Sequence, residues 1–237
     1  MKKTIFLVMV MVAFCVTGCT IKSNEKKDEK SSCCGKEESC EKKACCGKET
    51  CGAKNLLNLA NWEFILADNS VPACKVFSVE DGVISIKGEP LGYMYTNHKF
   101  GDYTLELEWR WAGEAGNSGI FVLIEEPNNP FPKGIEVQLK AGNAGDFVLL
   151  AGSDLKEFVL PEGVTERPKF PVIPKRQPSS EKPVGEWNKA KITVQDGVIT
   201  AYINDVLQNV GTSTVKEGYI GLQSESKEIQ FRNIVLQ

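Results

Sequence analysis

The sequence predicts an all-β domain, a sandwich or jelly roll, over residues 55–237. Short apolar or alternating segments recur along this region, and turn dipeptides such as Asp81-Gly82 and Asp196-Gly197 separate them. Asp, Asn and Gly tolerate the positive φ angles that tight turns require. No window longer than two turns repeats its apolar residues every 3.6 positions, so helices are not expected. Many short strands with regular turns favour two packed sheets over a parallel sheet.

The apolar and alternating segments are each predicted to be strands. In chain order they are Cys74–Val79, Gly82–Ile86, Tyr103–Trp111, Gly119–Ile124, Gly134–Lys140, Phe147–Leu150, Lys191–Gln195, Val198–Ile203 and Ile229–Leu236. The two segments around Asp196-Gly197 are expected to form a hairpin, since both arms carry β-branched residues. In the last segment the apolar phase changes, and a bulge near Arg232-Asn233 would explain the shift.

A proline-rich stretch interrupts the strands between Pro161 and Pro183, where six prolines are mixed with charged residues. Proline cannot donate a hydrogen bond to a sheet ladder. The stretch is therefore predicted to be a long surface excursion, which is either a functional rim or a plain insertion.

Residues 1–18 are typical of a bacterial lipoprotein signal. Lys2 and Lys3 precede an apolar run from Ile5 to Val16, and small residues lead to Cys19. The run is short for a membrane-spanning helix, which needs about 20 residues. We expect Cys19 to be lipidated, which would hold the domain outside the cytoplasm on a membrane. Thr20 after it favours the outer membrane, facing either the periplasm or the cell surface.

Residues 19–54 are predicted to be a tether. They contain no Trp, Tyr, Phe or Val and are rich in Lys, Glu, Ser and Cys, so they cannot bury enough apolar surface to order themselves. Six cysteines fall in two similar cassettes, Cys33–Cys40 and Cys45–Cys51. In an oxidising compartment these cysteines favour disulfides, while thiolate binding of a soft metal is the alternative.

The composition of the chain limits the classes of partner that it is expected to bind. The formal net charge is −3, and no basic stripe interleaves with aromatic residues, so nucleic acid is not an expected partner. No cofactor is predicted, and a divalent metal is not indicated. Cys74 is expected to be a buried thiol.

Two of the predicted strands carry carboxylates on one face. A period of two places Glu106, Glu108 and Arg110 opposite the apolar residues of Tyr103–Trp111. In the same way Glu136 and its neighbours Gln138 and Lys140 share one face of Gly134–Lys140. Such faces are either ordinary solvated sheet surface or the lining of a sugar-binding groove. Paired carboxylates meet the minimum requirement for acid–base chemistry on a sugar.

Several short motifs, taken in order, resemble the 3-keto-disaccharide hydrolase family over nearly all of residues 56–237. They are Trp62, Val79–Ile84, Gly92–Thr96, Phe100–Arg110, Gly116–Phe121, Ile135–Leu139, Gly185–Asn188, Ile220–Gln223 and Phe231–Ile234. The resemblance implies a concanavalin A-like jelly-roll sandwich of two antiparallel sheets. It also implies an oligosaccharide or glycoside substrate whose C3 hydroxyl has been oxidised to a ketone. A base would remove the C2 proton, and the C1 aglycone would leave by elimination.

This resemblance suggests roles for individual residues. Glu136 is the first candidate for the base or acid, and Glu108 is the second carboxylate candidate. Lys140 or Arg110 would stabilise the enolate. Hydroxyl groups would be held by polar side chains, for which the candidates are Asn117, Gln138, Asp146 and Gln223.

Two residues depart from the family pattern. Many members carry an arginine where this chain has Leu123, and many carry an aspartate where it has Lys140. These departures place the sequence in a divergent branch, in which Asp146 would supply the missing acid. The alternative functions are a non-catalytic carbohydrate-binding lipoprotein, or a carrier for metal or redox chemistry at the cysteine tether.

Overall fold

The computed structural model describes residues 56–237. The predictions for the signal at 1–18, for Cys19 and for the tether at 19–54 lie outside the described residues. Within residues 56–237 no helix is long and apolar enough to cross a bilayer.

The described part of the chain consists of strands, with two 3-10 helices at Leu59–Asn61 and Ala73–Lys75. The strands are β1 (Trp62–Leu66), β2 (Phe77–Glu80), β3 (Val83–Ile86), β4 (Gly92–Thr96), β5 (Tyr103–Trp111), β6 (Gly119–Ile124), β7 (Gly134–Gln138), β8 (Phe147–Leu150), β9 (Val172–Ile173), β10 (Asn188–Gln195), β11 (Val198–Ile203), β12 (Val206–Thr212), β13 (Tyr219–Ser224) and β14 (Ile229–Leu236).

These strands form two seven-stranded antiparallel sheets. Sheet A has the order β1-β4-β13-β6-β7-β8-β9, and sheet B has the order β12-β11-β10-β5-β14-β3-β2. Strands that follow one another in the chain are not always neighbours in a sheet, because the chain crosses between the sheets several times. The prediction of an all-β sandwich of two antiparallel sheets is confirmed.

The main core lies between the two sheets and receives alternate residues from each strand. In β5 the odd positions are buried and the even positions are half-exposed, as the sequence pattern predicts. Trp109 is fully buried there, and Val137 of sheet A belongs to the same apolar cluster. Burial of this apolar surface is the main favourable contribution to the stability of the sandwich.

The inner strands β6, β7 and β8 of sheet A are buried on both of their faces. Its strands β6 and β8 are continuous apolar runs in which every residue is buried. Tyr93, Phe121 and Val148 form a second apolar cluster that is separate from the main core, and Phe131 and Phe170 pack against it. A strand covered on both faces is expected to be apolar throughout rather than alternating. The outer face of sheet A therefore carries an apolar layer of its own.

The predicted strands agree closely with the structure in the long alternating and apolar segments. The bounds of β5, β6, β8, β11 and β14 coincide with the prediction. The predicted bulge is confirmed, because the register of β14 against β5 shifts between Arg232 and Val235. The prediction that Cys74 is buried is wrong, because this residue lies exposed in the second 3-10 helix. The buried residues of this segment are Val76 and Phe77, which follow the helix.

The proline-rich excursion contributes to the edge of sheet A. Its strand β9 pairs with β8, so Val148 stands beside Val172. Asn209 of β12 in sheet B is buried, and its Nδ2 donates hydrogen bonds to the carbonyls of Gly145, Ile173 and Pro174 at 3.0–3.2 Å. One amide group thus ties the excursion and the loop before β8 to the opposite sheet.

We predict that Asn209→Ala lowers the free energy of unfolding by about 1–3 kcal/mol, because three carbonyl groups lose their donor. Urea denaturation monitored by tryptophan fluorescence measures this change. Asn128→Ala, an exposed loop substitution, is the control and is expected to change stability by less than about 0.5 kcal/mol. Equal effects of the two substitutions would contradict the role assigned to Asn209.

Candidate active site

A pocket of about 370 Å³ opens on the outer face of sheet A. We call it the Glu136 pocket. Its lining comes from β7, β8 and β9, from the segments before β6 and after β13, and from the excursion. The lining residues are Asn117, Phe131, Glu136, Gln138, Lys140, Asn143, Asp146, Val148, Leu150, Phe170, Val172 and Glu225. Its volume lies in the range of small-molecule sites.

The strand register gives the Glu136 pocket a polar end and an apolar end. Glu136 stands in the middle row, between Phe121 of β6 and Val148 of β8. The next row of neighbouring residues across the strands, on one side of Glu136, contains Gln138. The backbone of Gln138 forms hydrogen bonds with the loop that carries Asp146. The row on the other side contains Leu150. Glu136 therefore lies at the boundary between polar and apolar surface.

The side chain of Glu136 is buried, with 4% of its surface exposed. It leans over Gly119, where an added Cβ atom would lie 2.6 Å from Oε1 and from Cγ of Glu136. A side chain at this position of β6 would therefore displace the carboxyl group from its place in the pocket. This explains why a glycine stands in the interior of a strand, where it would otherwise be disfavoured.

Burial raises the pKa of Glu136 from its ordinary value to about 8, and the negative charge of Glu225 contributes to the same shift. Removal from water is the larger cause, since the apolar layer around the carboxyl group solvates its charged form poorly. At neutral pH most of the Glu136 carboxyl group carries its proton. Such a group can donate a proton near pH 7 and is a stronger base than an ordinary carboxylate once ionised.

Glu225 is the second carboxylate of the pocket, and Gln223 holds it in place. Nε2 of Gln223 donates a hydrogen bond of 2.7 Å to Oε2 of Glu225. Gln223 is fully buried on β13 and lies beneath the pocket rather than at its surface. Gln223 thus contacts a lining carboxylate without lining the pocket itself, and its Oε1 has no hydrogen-bond partner among residues 56–237.

The polar end also contains cationic and amide groups. Asp146 accepts a 2.8 Å hydrogen bond from the backbone N–H of Lys175, whose Nζ lies 4.0 Å from Oδ1 of Asp146 and 3.5 Å from Oδ1 of Asn143. Lys140 is exposed at the rim. Oδ1 of Asn117 is buried and has no hydrogen-bond partner among residues 56–237, so it can accept one from a ligand.

Glu108 and Arg110 do not reach this pocket. They lie on β5 of sheet B and point away from the core, so the whole sandwich separates them from Glu136. Glu108 accepts a 2.6 Å hydrogen bond from Nε of Arg232, and Arg110 donates one of 2.8 Å to Gln230 while its guanidinium group covers the ring of Trp187. Their expected place beside Glu136 is thus corrected. The period of two identified the polar face of β5 but could not tell which sheet carried it.

Leu123 lies outside the pocket as well. It is a bulged residue of β6 with φ of 53°, at the point where the pairing with β13 shifts, and its side chain belongs to the main core. Position 123 of this chain therefore does not contribute to the lining of the pocket. Among residues 56–237 no three His, Cys, Asp or Glu side chains are grouped as metal ligands.

The structure adds site residues that the sequence pattern did not indicate. Glu225 follows the end of β13, and Phe131 and Phe170 come from loops without periodicity. One signal was available: the continuous apolar runs of β6 and β8 indicate that the outer face beside Glu136 is covered.

Comparisons with known proteins agree with this fold. The model of a family described as the 3-keto-alpha-glucoside-1,2-lyase-like domain matches residues 52–237. A 3-keto-disaccharide hydrolase of Bacteroides thetaiotaomicron is 27% identical over 201 residues, in a match that covers 67% of this chain and 68% of that protein.

Solved structures share the sandwich at low sequence identity. A candidate glycosyl hydrolase of Parabacteroides distasonis has a TM-score of 0.53 and 18% identity, over 74% of this chain and 98% of its own. A β-glucanase of Bacillus licheniformis has a TM-score of 0.50 and 13% identity, over 79% of this chain and 98% of its own. These likenesses confirm the jelly-roll fold.

We predict that Glu136→Gln increases stability at alkaline pH. Between about pH 4.5 and pH 8 the folded chain keeps a proton that the unfolded chain releases, so the free energy of unfolding of the wild type falls as pH rises. The glutamine does not titrate, and the variant should gain roughly 2–4 kcal/mol relative to the wild type by pH 8. Urea denaturation across this pH range measures the difference.

The exposed substitution Glu80→Gln on sheet B is the control, and its stability should follow the wild-type pH dependence. Parallel curves for the wild type and Glu136→Gln would contradict the raised pKa.

Proposed function

The chain belongs to the 3-keto-alpha-glucoside-1,2-lyase-like domain family, and we propose that it cleaves glycosides whose C3 hydroxyl has been oxidised to a ketone. One observation carries the proposal: a buried, mostly protonated Glu136 and a second carboxylate, Glu225, share one pocket. An elimination needs an acid and a base within reach of adjacent carbon atoms.

The reaction follows from the chemistry of the ketone. A C3 carbonyl acidifies the C2–H bond, so a base removes that proton and the electron pair forms an enolate. When the carbonyl re-forms, the C1–O bond breaks and a C1=C2 double bond remains, while the aglycone oxygen takes a proton from the acid. Water then adds its hydroxyl to C1 and a proton returns to C2. The net products are a 3-keto sugar and an alcohol.

The burial of Glu136 and the position of Glu225 suit the two carboxyl groups to opposite roles. Glu136 carries a proton near neutral pH and lies at the polar–apolar boundary, so it is suited to protonate the leaving oxygen. Glu225 stands at the polar end beside Asn117 and is held by Gln223, so it is suited to remove the C2 proton.

The remaining polar groups would bind the sugar. Lys140 at the rim places an ammonium group where it can stabilise the enolate oxygen. Gln138 and the unpartnered Oδ1 of Asn117 offer hydrogen bonds to hydroxyl groups. Asp146 is fixed by the backbone of Lys175 and would accept a further hydrogen bond with its remaining lone pairs.

We also propose that the domain acts outside the cytoplasm, on the outer membrane, tethered through a lipid on Cys19. The signal-like residues that precede this cysteine support the proposal.

We predict that Cys19→Ala moves the protein from the membrane fraction to the soluble fraction of the cell envelope, measured by immunoblotting. Cys15→Ala is the control and should stay with the membrane, and retention of Cys19→Ala there would contradict the lipid anchor.

Incubation with a 3-keto-glucoside tests the activity, with aglycone release as the measurement. Glu136→Gln is expected to lower kcat about 10²–10⁴-fold, because the leaving oxygen loses its proton donor. Glu225→Gln should lower it similarly through loss of the base. Glu108→Gln is the matched control: it changes a carboxylate on the other sheet and should keep kcat within about twofold.

Two further readings decide the mechanism and the alternatives. If the reaction is an elimination, the earliest product formed in D₂O carries deuterium at C2, at a level above the exchange measured without protein. The unoxidised glucoside should release no aglycone. Undiminished release by Glu136→Gln would remove this residue from its role. Sugar binding without turnover would favour the carbohydrate-binding alternative.

A further inference from the structure

The apolar end of the Glu136 pocket is bounded by a pair of phenylalanines. The rings of Phe131 and Phe170 lie 5.0 Å apart between centroids, with planes tilted by 53°. Both side chains are half-buried and pack on the outer apolar cluster that contains Val148 and Leu150. This end thus presents carbon surface to whatever extends past Glu136.

A second depression of about 200 Å³ continues beyond the phenylalanines. Phe131 and Phe170 line both hollows, and the second one adds Asn129, Ala151 and Lys169. A molecule bound in the Glu136 pocket can therefore reach across the two rings into this second hollow.

Few groups at this end can bind hydroxyl groups. Oδ1 of Asn129 already accepts the backbone N–H of Phe131 at 2.9 Å, and its Nδ2 donates to Asn128 at 2.6 Å. Nζ of Lys169 lies 5.1 Å from the centroid of the Phe170 ring. By contrast, the other end adds carboxylates to its amide and ammonium groups. The polar end therefore offers a sugar ring more hydrogen-bonding partners than the apolar end.

We propose that the apolar end is an aglycone subsite that selects glycosides with an aryl or alkyl leaving group over those whose leaving group is a second sugar. The proposal rests on the proposed function, since it takes the oxidised sugar to lie at the polar end. The scissile C1–O bond then lies over Glu136, at the boundary of the two surfaces. Burying the hydroxyl groups of a second sugar among carbon atoms would be unfavourable.

The test compares methyl and benzyl 3-keto-glucosides, because their leaving alcohols have similar acidity while only benzyl can cover the phenylalanines. The wild type is expected to show a kcat/KM about tenfold or more higher for the benzyl compound. A 3-keto-disaccharide of glucose should be cleaved less efficiently than the benzyl compound. A disaccharide cleaved as efficiently as the benzyl glycoside would overturn the proposal.

Phe131→Ala and Phe170→Ala should each reduce the ratio of kcat/KM for the benzyl compound to that for the methyl compound toward one, mainly by raising KM for the benzyl compound. Cleavage of the methyl compound shows that each variant is folded. Tyr202→Ala, on the outer face of sheet B, is the control and should keep the wild-type ratio. Ratios left unchanged by both phenylalanine substitutions would contradict the subsite.

A binding measurement separates this proposal from the proposed function. Unoxidised benzyl and methyl glucosides are titrated into Glu136→Gln by calorimetry, and the benzyl compound should bind about tenfold more tightly. Tighter benzyl binding without turnover of any 3-keto-glycoside would overturn the proposed function and keep the subsite. Equal binding of the two glucosides, with turnover intact, would overturn the subsite alone.

Discussion

The carboxyl group of Glu136 is held out of water by the apolar layer on the outer face of sheet A, and the chemistry of the pocket depends on this desolvation. Phe121 and Val148 flank it along the sheet. Gly119 leaves the space into which it leans. A carboxyl group on an ordinary solvated strand would be ionised at neutral pH and could not donate a proton. The covered face therefore turns a strand residue into an acid.

Covering the outer face of sheet A requires more chain than the sandwich itself supplies. The excursion provides Phe170 and the edge strand β9, and Asn209 on sheet B fixes it with two hydrogen bonds. The desolvation of Glu136 thus depends on packing and on contacts that originate in the opposite sheet. This arrangement couples the stability of a long loop to the protonation state of the site, because exposing the outer face would return the carboxyl group to water.

The sequence predicts the fold well where one strand has one clear periodicity. The alternation of β5 and the apolar run of β6 depend on local pattern alone, and both are placed correctly. The site is predicted less completely, since its assembly depends on which sheet each strand joins. Glu136 and Glu108 have the same local pattern, yet they lie on opposite outer faces. Glu225 follows a strand without a polar alternation, so only the folded chain brings it to Glu136.

The position of Lys140 at the rim has a consequence for the charge in the pocket. Glu136, Glu225 and Asp146 are three acidic groups in one cavity, and Lys175 approaches only Asp146. An acidic side chain at this position would add a fourth acidic group and repel negative charge on a bound molecule. An ammonium group there attracts that charge instead, with a strength that its exposure to solvent limits. In the proposed reaction, Lys140 would therefore favour the binding of anionic intermediates, while Glu136 would remain the proton donor.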